Sequence, residues 1–218
     1  MMGSPEGESQ RRDDEILHQV VLTQGYWLAD TACTQALWQV VMGNNPSCFK
    51  DADRPLENVN WLEVTDFLAR LNQVDAELQL CLPTEAQWEY ACRAGSTSAF
   101  SFGHTISPKQ VNYDGDFPYA GGTKGQDRGE TLAVKSLPMN PWALYEMHGN
   151  VWEWCSDWAG GYPSGDAKDP TGPDEGEHRV VRGGSWIDRA QFVRSAHRSR
   201  NSLENRQGSI GFRLARGQ

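Results

Sequence analysis

Past Gly95 the chain offers no amphipathic helix of three turns: glycine, proline, tryptophan and short polar runs follow one another to the C-terminus. A chain that leaves helical periodicity for so long must build its second half from loops and short strands. Loops of that extent are uncommon in a compact domain unless something fixes them. The 218 residues include nine Trp and 22 Gly, large side chains to fill space and backbone freedom for tight turns, a balance that excludes a fibrous or disordered chain.

The first half reads differently. "HQVVLTQGYWLAD" alternates apolar and polar residues and predicts a strand pair joined near Gly25. In "DTACTQALWQVVMGNNPS", Thr31 or Thr34 caps a helix with Leu37, Trp38, Val40 and Val41 as its apolar stripe and Gly43 as its stop. "NWLEVTDFLARLNQ" gives a second helix, capped by Asn60 with Glu63 at the third position and striped by Trp61, Val64, Leu68 and Leu71. A third begins in "LPTEAQWEYACRAG", where Thr84 and Gln87 make a capping box and Gly95 closes the helix. "RVVRGGSW" and "GSIGFRLAR" read as the last two strands. Helices gathered early and strands late predict one α+β domain over 1–218.

Charge and cysteine narrow the function classes. Residues 179–218 hold nine Arg, no Lys and two acids, within a chain of net charge -9. Those arginines are interleaved with Trp, Phe, Val, Ile and Leu, which favours bidentate pairing with carboxylates inside the fold over a nucleic-acid surface. Cys33, Cys48, Cys81, Cys92 and Cys155 are odd in number and lack a C-x-x-C spacing, against a disulfide framework or structural zinc. No apolar leader opens the chain and no run is long enough to span a membrane, so a soluble cytoplasmic protein is expected. Trp152, Trp154, Trp158 and Trp186 are expected to be mostly core. "VNYDGDFP" sets Asn112, Asp114 and Asp116 at alternate positions, and "YEMHGNVWEWCSDW" carries Glu146, Asn150, Glu153 and Asp157. By spacing alone these oxygens suit calcium or the capping of turns and pairing with arginines equally.

"MGSPEGE", "TQALWQVVMGNNPS", "LENVNWLEVTDFLARLN", "CLPTEAQWEYACRAG", "NPWALYEMHGNVWEWCSDW", "DPTGP", "RVVRGGSW" and "IGFRLA" stand in this order, and together they resemble the formylglycine-generating enzyme, or sulfatase-modifying factor, family. The resemblance implies a C-type-lectin-like fold, loop-rich, with two to three helices, a small twisted antiparallel sheet and bound calcium. Glu146, Gly149, Val151 and Glu153 match one family calcium site, Gly149 and Val151 through their carbonyls. Asn112, the Tyr113 carbonyl and Asp127 match the other.

The family's oxidation of a substrate cysteine uses a copper ion held by two thiolates, ligands that oxygen or aliphatic side chains cannot replace. The matching positions here are Asp188 and Phe192 or Val193, and no cysteine follows Cys155. No copper chemistry is therefore expected, and Cys155 reads as a packed residue.

The run "WIDRAQFVRSAHRSRNSLENRQGS" instead resembles the variable region of C-type-lectin-like proteins diversified by retroelements. Ile187, Asp188, Arg189, Phe192, His197, Ser199, Asn201, Ser202, Gly208 and Ser209 fall where such proteins place exchangeable residues, an expected surface for an unknown ligand or protein. The alternative is an oxidoreductase of the family working without copper, similar to the pyoverdine-maturation protein. For that reading His197 with Asp188 is the candidate acid/base pair.

Overall fold

Three helices form where their caps predict them. In the computed structural model, which describes residues 1–75 and 77–217, α1 runs Gln35–Met42 with the Thr34 hydroxyl accepting the Leu37 N–H and Gly43 closing it at φ 75°. Helix α2, Trp61–Val74, and α3, Glu85–Arg93, each carry a complete capping box, Asn60 with Glu63 and Thr84 with Gln87. The left-handed closing residue of α3 is Ala94 at φ 45°, one place before Gly95.

The stripe expected of α1 is only partly buried. Trp38 is enclosed, but Val40 is 84% exposed and Leu37 also faces out. This short helix is held by one wide aromatic and by buried Gln35, whose amide donates to the Phe49 and Pro55 carbonyls. Trp38 stacks on Phe67 of α2 at 5.0 Å, and Phe212 meets both rings edge-on. Leu56, Val59, Trp154 and Ile210 complete this main core.

Strands β1 (Val20–Val21), β2 (Tyr26–Leu28) and β3 (Leu80–Cys81) precede the loops; β4 (Trp152–Trp158), β5 (Ala167–Lys168), β6 (His178–Arg182), β7 (Arg198–Ser202), β8 (Ile210–Gly211) and β9 (Ala215–Gly217) lie among or after them. The strand pair expected near Gly25 does not form. β1 pairs with β5 and β2 with β9, because the partners that cover their backbones come from distant chain.

The largest sheet has the order β7-β6-β4-β8. It is mixed: β6 runs antiparallel to β4 and β7, while β8 joins β4 in parallel. Central β4, missed from the sequence, is buried almost throughout and so shows no alternation.

Four of the nine C-terminal arginines, Arg182, Arg194, Arg198 and Arg213, pair with carboxylates inside the fold. Arg194 grips Glu15 with two hydrogen bonds of 2.6 and 2.7 Å and reaches Glu8 at 2.6 Å. Arg198 forks onto Glu85, and Arg213 onto Glu153. Arg182 bonds Glu89 at 2.5 Å and caps the Ser195, Ala196 and His197 carbonyls. Planar guanidinium meets carboxylate bidentately here, and the spare donors satisfy loop backbone, which fixes the long loops without regular structure. No helix among the described residues is long and apolar enough to cross a membrane.

Candidate binding site

The segment after β6 begins with two glycines that only glycine can fill. Gly183 and Gly184 sit at φ 96° and 71°, and a side chain on Gly184 would collide with Val193 and the Phe192 carbonyl. Ser185 then ties the turn: its N–H and hydroxyl both donate to Asp188 Oδ2, at 3.0 and 2.5 Å. The Asp188 carbonyl accepts from Asp114 N–H at 2.9 Å. Burial pushes the Asp188 carboxyl upward, against the pull of these bonds.

This knot leaves its neighbours facing water. Ile187 is 58% exposed. Arg189, also exposed, lies 4.3 Å over the ring of Phe117, itself open to solvent. Trp186 is half-buried, donates its indole N–H to the Gly208 carbonyl at 3.0 Å, and meets Phe49 edge-on at 5.3 Å. Phe192 is half-buried against the main core. Together Phe117, Arg189, Ile187, Trp186, Phe49 and Gly208 make an aromatic and cationic rim on a backbone that cannot easily yield. Of the four tryptophans expected in the core, Trp152 and Trp154 are buried, and Trp158 and Trp186 are half-buried.

The ten positions singled out in the sequence divide. Ile187 and Arg189 are exposed; Asp188, Phe192, Ser199, Asn201, Ser202 and Gly208 are half-buried. Ser199, Asn201 and Ser202 lie on β7, the edge of its sheet, where the Asn201 side chain is engaged by Ser202 N–H and Asn205. His197 and Ser209 are buried and present nothing to a partner in this conformation.

The expected His197–Asp188 pair is not made. Asp188 is held by Ser185, whereas His197 Nδ1 lies 3.4 Å from Glu15 Oε1 and its ring packs on Phe192 and Trp152. Burial draws the His197 pKa down, so the ring is neutral at pH 7. Burial would raise Glu15, but bonds from His197 and Arg194 and the Arg194 charge prevail and bring it down to about 2. Glu15, in the N-terminal segment, was not readable as a partner: nothing in "RRDDEILH" points across the chain to position 197.

The two calcium sets are brought close to other groups. Both Glu153 oxygens accept from Arg213, and Trp88 Nε1 adds a bond of 2.6 Å to one of them. Glu146 accepts the Lys135 and Leu137 N–H groups, and burial lifts its carboxyl to about 7. Asn112 is buried, with its amide on the Glu130 carbonyl and Asn150, its backbone carbonyl bonded by Asn150 N–H, and Arg128 approaching its side-chain oxygen at 3.5 Å. Asp127 is exposed and caps its own turn at Gly129. Tyr113 is buried in the second core with Phe100 and Val193. Calcium takes about 6–8 oxygens, backbone and amide carbonyls and waters among them as well as carboxylates. Here Glu153 is paired with Arg213, and Asp127 turns to the Gly129 N–H. No group of three His, Cys, Asp or Glu among the described residues converges as a metal cage.

Comparisons with known proteins agree with this anatomy. The sulfatase-modifying factor enzyme 1-like domain matches residues 5–218. Mouse formylglycine-generating enzyme is 32% identical over 209 residues, 91% of this chain and 53% of that protein. The chain thus spans about half the length of that relative. Among solved structures, Treponema denticola variable protein 1 superposes with a TM-score of 0.85 at 28% identity, covering 100% of this chain and 92% of that one. PvdO from Pseudomonas aeruginosa gives 0.80 at 25%, covering 100% and 90%. A family match over nearly the whole chain means that the chain belongs to the sulfatase-modifying factor enzyme 1-like family.

Proposed function

We propose that this chain is a noncatalytic binding module that presents a ligand or protein with the rim around Ile187 and Arg189. The observation that carries the reading is the Ser185–Asp188 knot, which occupies the place of a family thiolate and holds Ile187 and Arg189 outward on fixed backbone. An aromatic and arginine rim on a rigid support is the composition of a binding hot spot. The likeness to a variable protein over the whole chain supports the same reading and extends it: the segment 187–209 is proposed to be diversified by a retroelement. A reverse-transcriptase gene beside a near-copy template differing at adenines supports that extension; its absence from the coding locus removes it.

No copper step is derived from side chains that cannot hold Cu(I). The second reading, an oxidoreductase working without copper, draws on buried His197 beside Glu15 and on the likeness to PvdO. A neutral imidazole held near a carboxylate is suited to accept a proton.

The test uses peptides selected from a random display library against the folded protein. Combined substitution of Ile187 and Arg189 by Ala is expected to abolish binding while the melting curve persists. Undiminished binding contradicts the proposal. Turnover of a cysteine peptide in the presence of copper contradicts its noncatalytic part.

A further inference from the structure

Away from this rim, arginines stand in a row on one face of the largest sheet. Residues directly opposite in an antiparallel pair share a face, and so do alternate residues of one strand. β6 and β7 pair with Arg182 opposite Arg198 and Val180 opposite Arg200. These four side chains therefore leave the face that α3 covers, where Val180 shares a core with Trp88 and Ala91.

Helix α3 carries two acids, Glu85 and Glu89, and both are engaged. Glu89 holds Arg182 at 2.5 Å and Arg93 at 2.8 Å. Glu85 accepts the Arg198 fork at 2.6 and 2.7 Å. Arg200, the next rung along β7, is exposed and finds neither a carboxylate nor a side-chain hydrogen bond among the described residues.

Beside Arg200 a hollow of ≈ 240 Å³ lies between β7, the residues that follow β4 and the N-terminal segment. Arg12, Asp14, Arg198, Ser199 and Arg200 line it. Its walls are rich in donors and poor in acceptors. Arg198 is taken up by Glu85 and by the Asp14 and Gly160 carbonyls, so it fixes the shape of the hollow. Arg12 gives its Nε–H to Asp14 Oδ1 at 3.2 Å and keeps both Nη groups uncommitted. The Ser199 hydroxyl is equally uncommitted among the described residues. Arg12 and Arg200 are both exposed, so a ligand can reach them. With Glu85 answering Arg198 and Asp14 answering Arg12, Arg200 is the one cation left over on these walls.

We infer that the hollow binds a small monocarboxylate, forked onto the Arg200 guanidinium with the Arg12 Nη groups and the Ser199 hydroxyl as further donors. A planar guanidinium matches a planar carboxylate, the pairing that Arg198 already makes on the same face. One surplus charge suits a monoanion. A dianionic phosphate ester brings a second charge towards Asp14, and an uncharged amide leaves Arg200 unanswered. The hollow is smaller than the usual ligand pocket of about 300–1,000 Å³, which limits the ligand to a few carbons.

Nuclear magnetic resonance of the isotope-labelled full chain tests the assignment through the arginine Nε–Hε signals, titrated with propionate, propionamide and methyl phosphate. Sodium chloride holds the ionic strength constant, so that screening does not change along the titration. Propionate is expected to move the Arg200 and Arg12 signals saturably, with exposed Arg189 unmoved as the internal control. Propionamide is expected to move neither, and methyl phosphate to bind at least threefold more weakly than propionate. Arg200→Gln is expected to weaken propionate tenfold or more, read from the Arg12 signal. Arg200→Lys keeps the charge and is expected to lose affinity several-fold, because the fork is gone. Arg12→Gln is expected to weaken binding several-fold and remains informative should the Arg200 variants fail to fold. Shifts that grow without saturating or appear equally at Arg189, an equal response to propionamide, methyl phosphate binding as tightly, or unchanged affinity in folded Arg200→Gln overturns the inference.

Discussion

Arg189 and Arg194 flank the same short turn and do opposite things. Arg194 is enclosed, forked onto Glu15 and bonded to Glu8 and the Gln10 carbonyl. Arg189 lies open over Phe117 and makes none of those ion pairs. The difference follows from where the backbone points after the Ser185–Asp188 knot. One arginine clamps the N-terminal segment to the site and the other is left on display. In this segment the scaffold and the presented surface alternate within a few residues, so composition alone does not separate them.

The comparison breaks most visibly on the buried side. Arg194→Ala leaves the Glu15 carboxylate enclosed without its counter-ion and is expected to destabilise the fold by about 3–5 kcal/mol, read by urea unfolding. A loss below ~1 kcal/mol would make the clamp ornamental. Acid probes the same pair. Glu15 sits at about 2 in the folded chain against an ordinary value of 4.5. Its contribution is complete above 4.5 and drains away as pH falls towards 2, because the unfolded chain takes up the proton first. Wild type should therefore lose stability across that window, and Glu15→Gln should flatten this part of the profile.

Gly184→Ala comes next. Positive φ and the clash with Val193 are expected to cost about 1–3 kcal/mol, visible as a lowered Tm. On the exposed side, Arg189→Ala with Ile187→Ala should alter stability by no more than ~0.5 kcal/mol while removing binding, which separates display from support. The smallest effect is expected from excess chelator: with Glu153 neutralised by Arg213, the melting curve should not move. A fall of several degrees would mean that an ion rearranges those groups.

What the sequence disclosed follows the range of the forces involved. Helix caps are local, so Thr34, the Asn60–Glu63 box and the Thr84–Gln87 box stand where the pattern placed them. The "RVVRGGSW" strand was readable as far as Arg182, where Gly183 and Gly184 turn the chain instead of continuing it. Strand partners were not. Tyr26–Leu28 looked like half of a hairpin because alternation says which face is buried, not which strand covers the edge, and the answer lay at Ala215–Gly217. β4 escaped notice because a strand covered on both faces has no period.

The site was legible to a similar depth. The interleaving of arginines with apolar residues indicated that they pair with acids, but not that Arg194 finds Glu15 or that His197 turns to Glu15 in place of Asp188. Exposure of Ile187 and burial of His197 depend on the fold of the 3-10 turn Ala190–Val193. Adjacent residues there face opposite ways for reasons held in tertiary packing.

The central claim is that the rim around Ile187 and Arg189 meets the partner. Isotope-labelled protein titrated with a display-selected peptide tests it directly. Shifts confined to Ile187, Arg189, the Trp186 indole and the Phe117 ring are the expected result. Shifts centred on buried His197 and Glu15, with the rim unmoved, would contradict it.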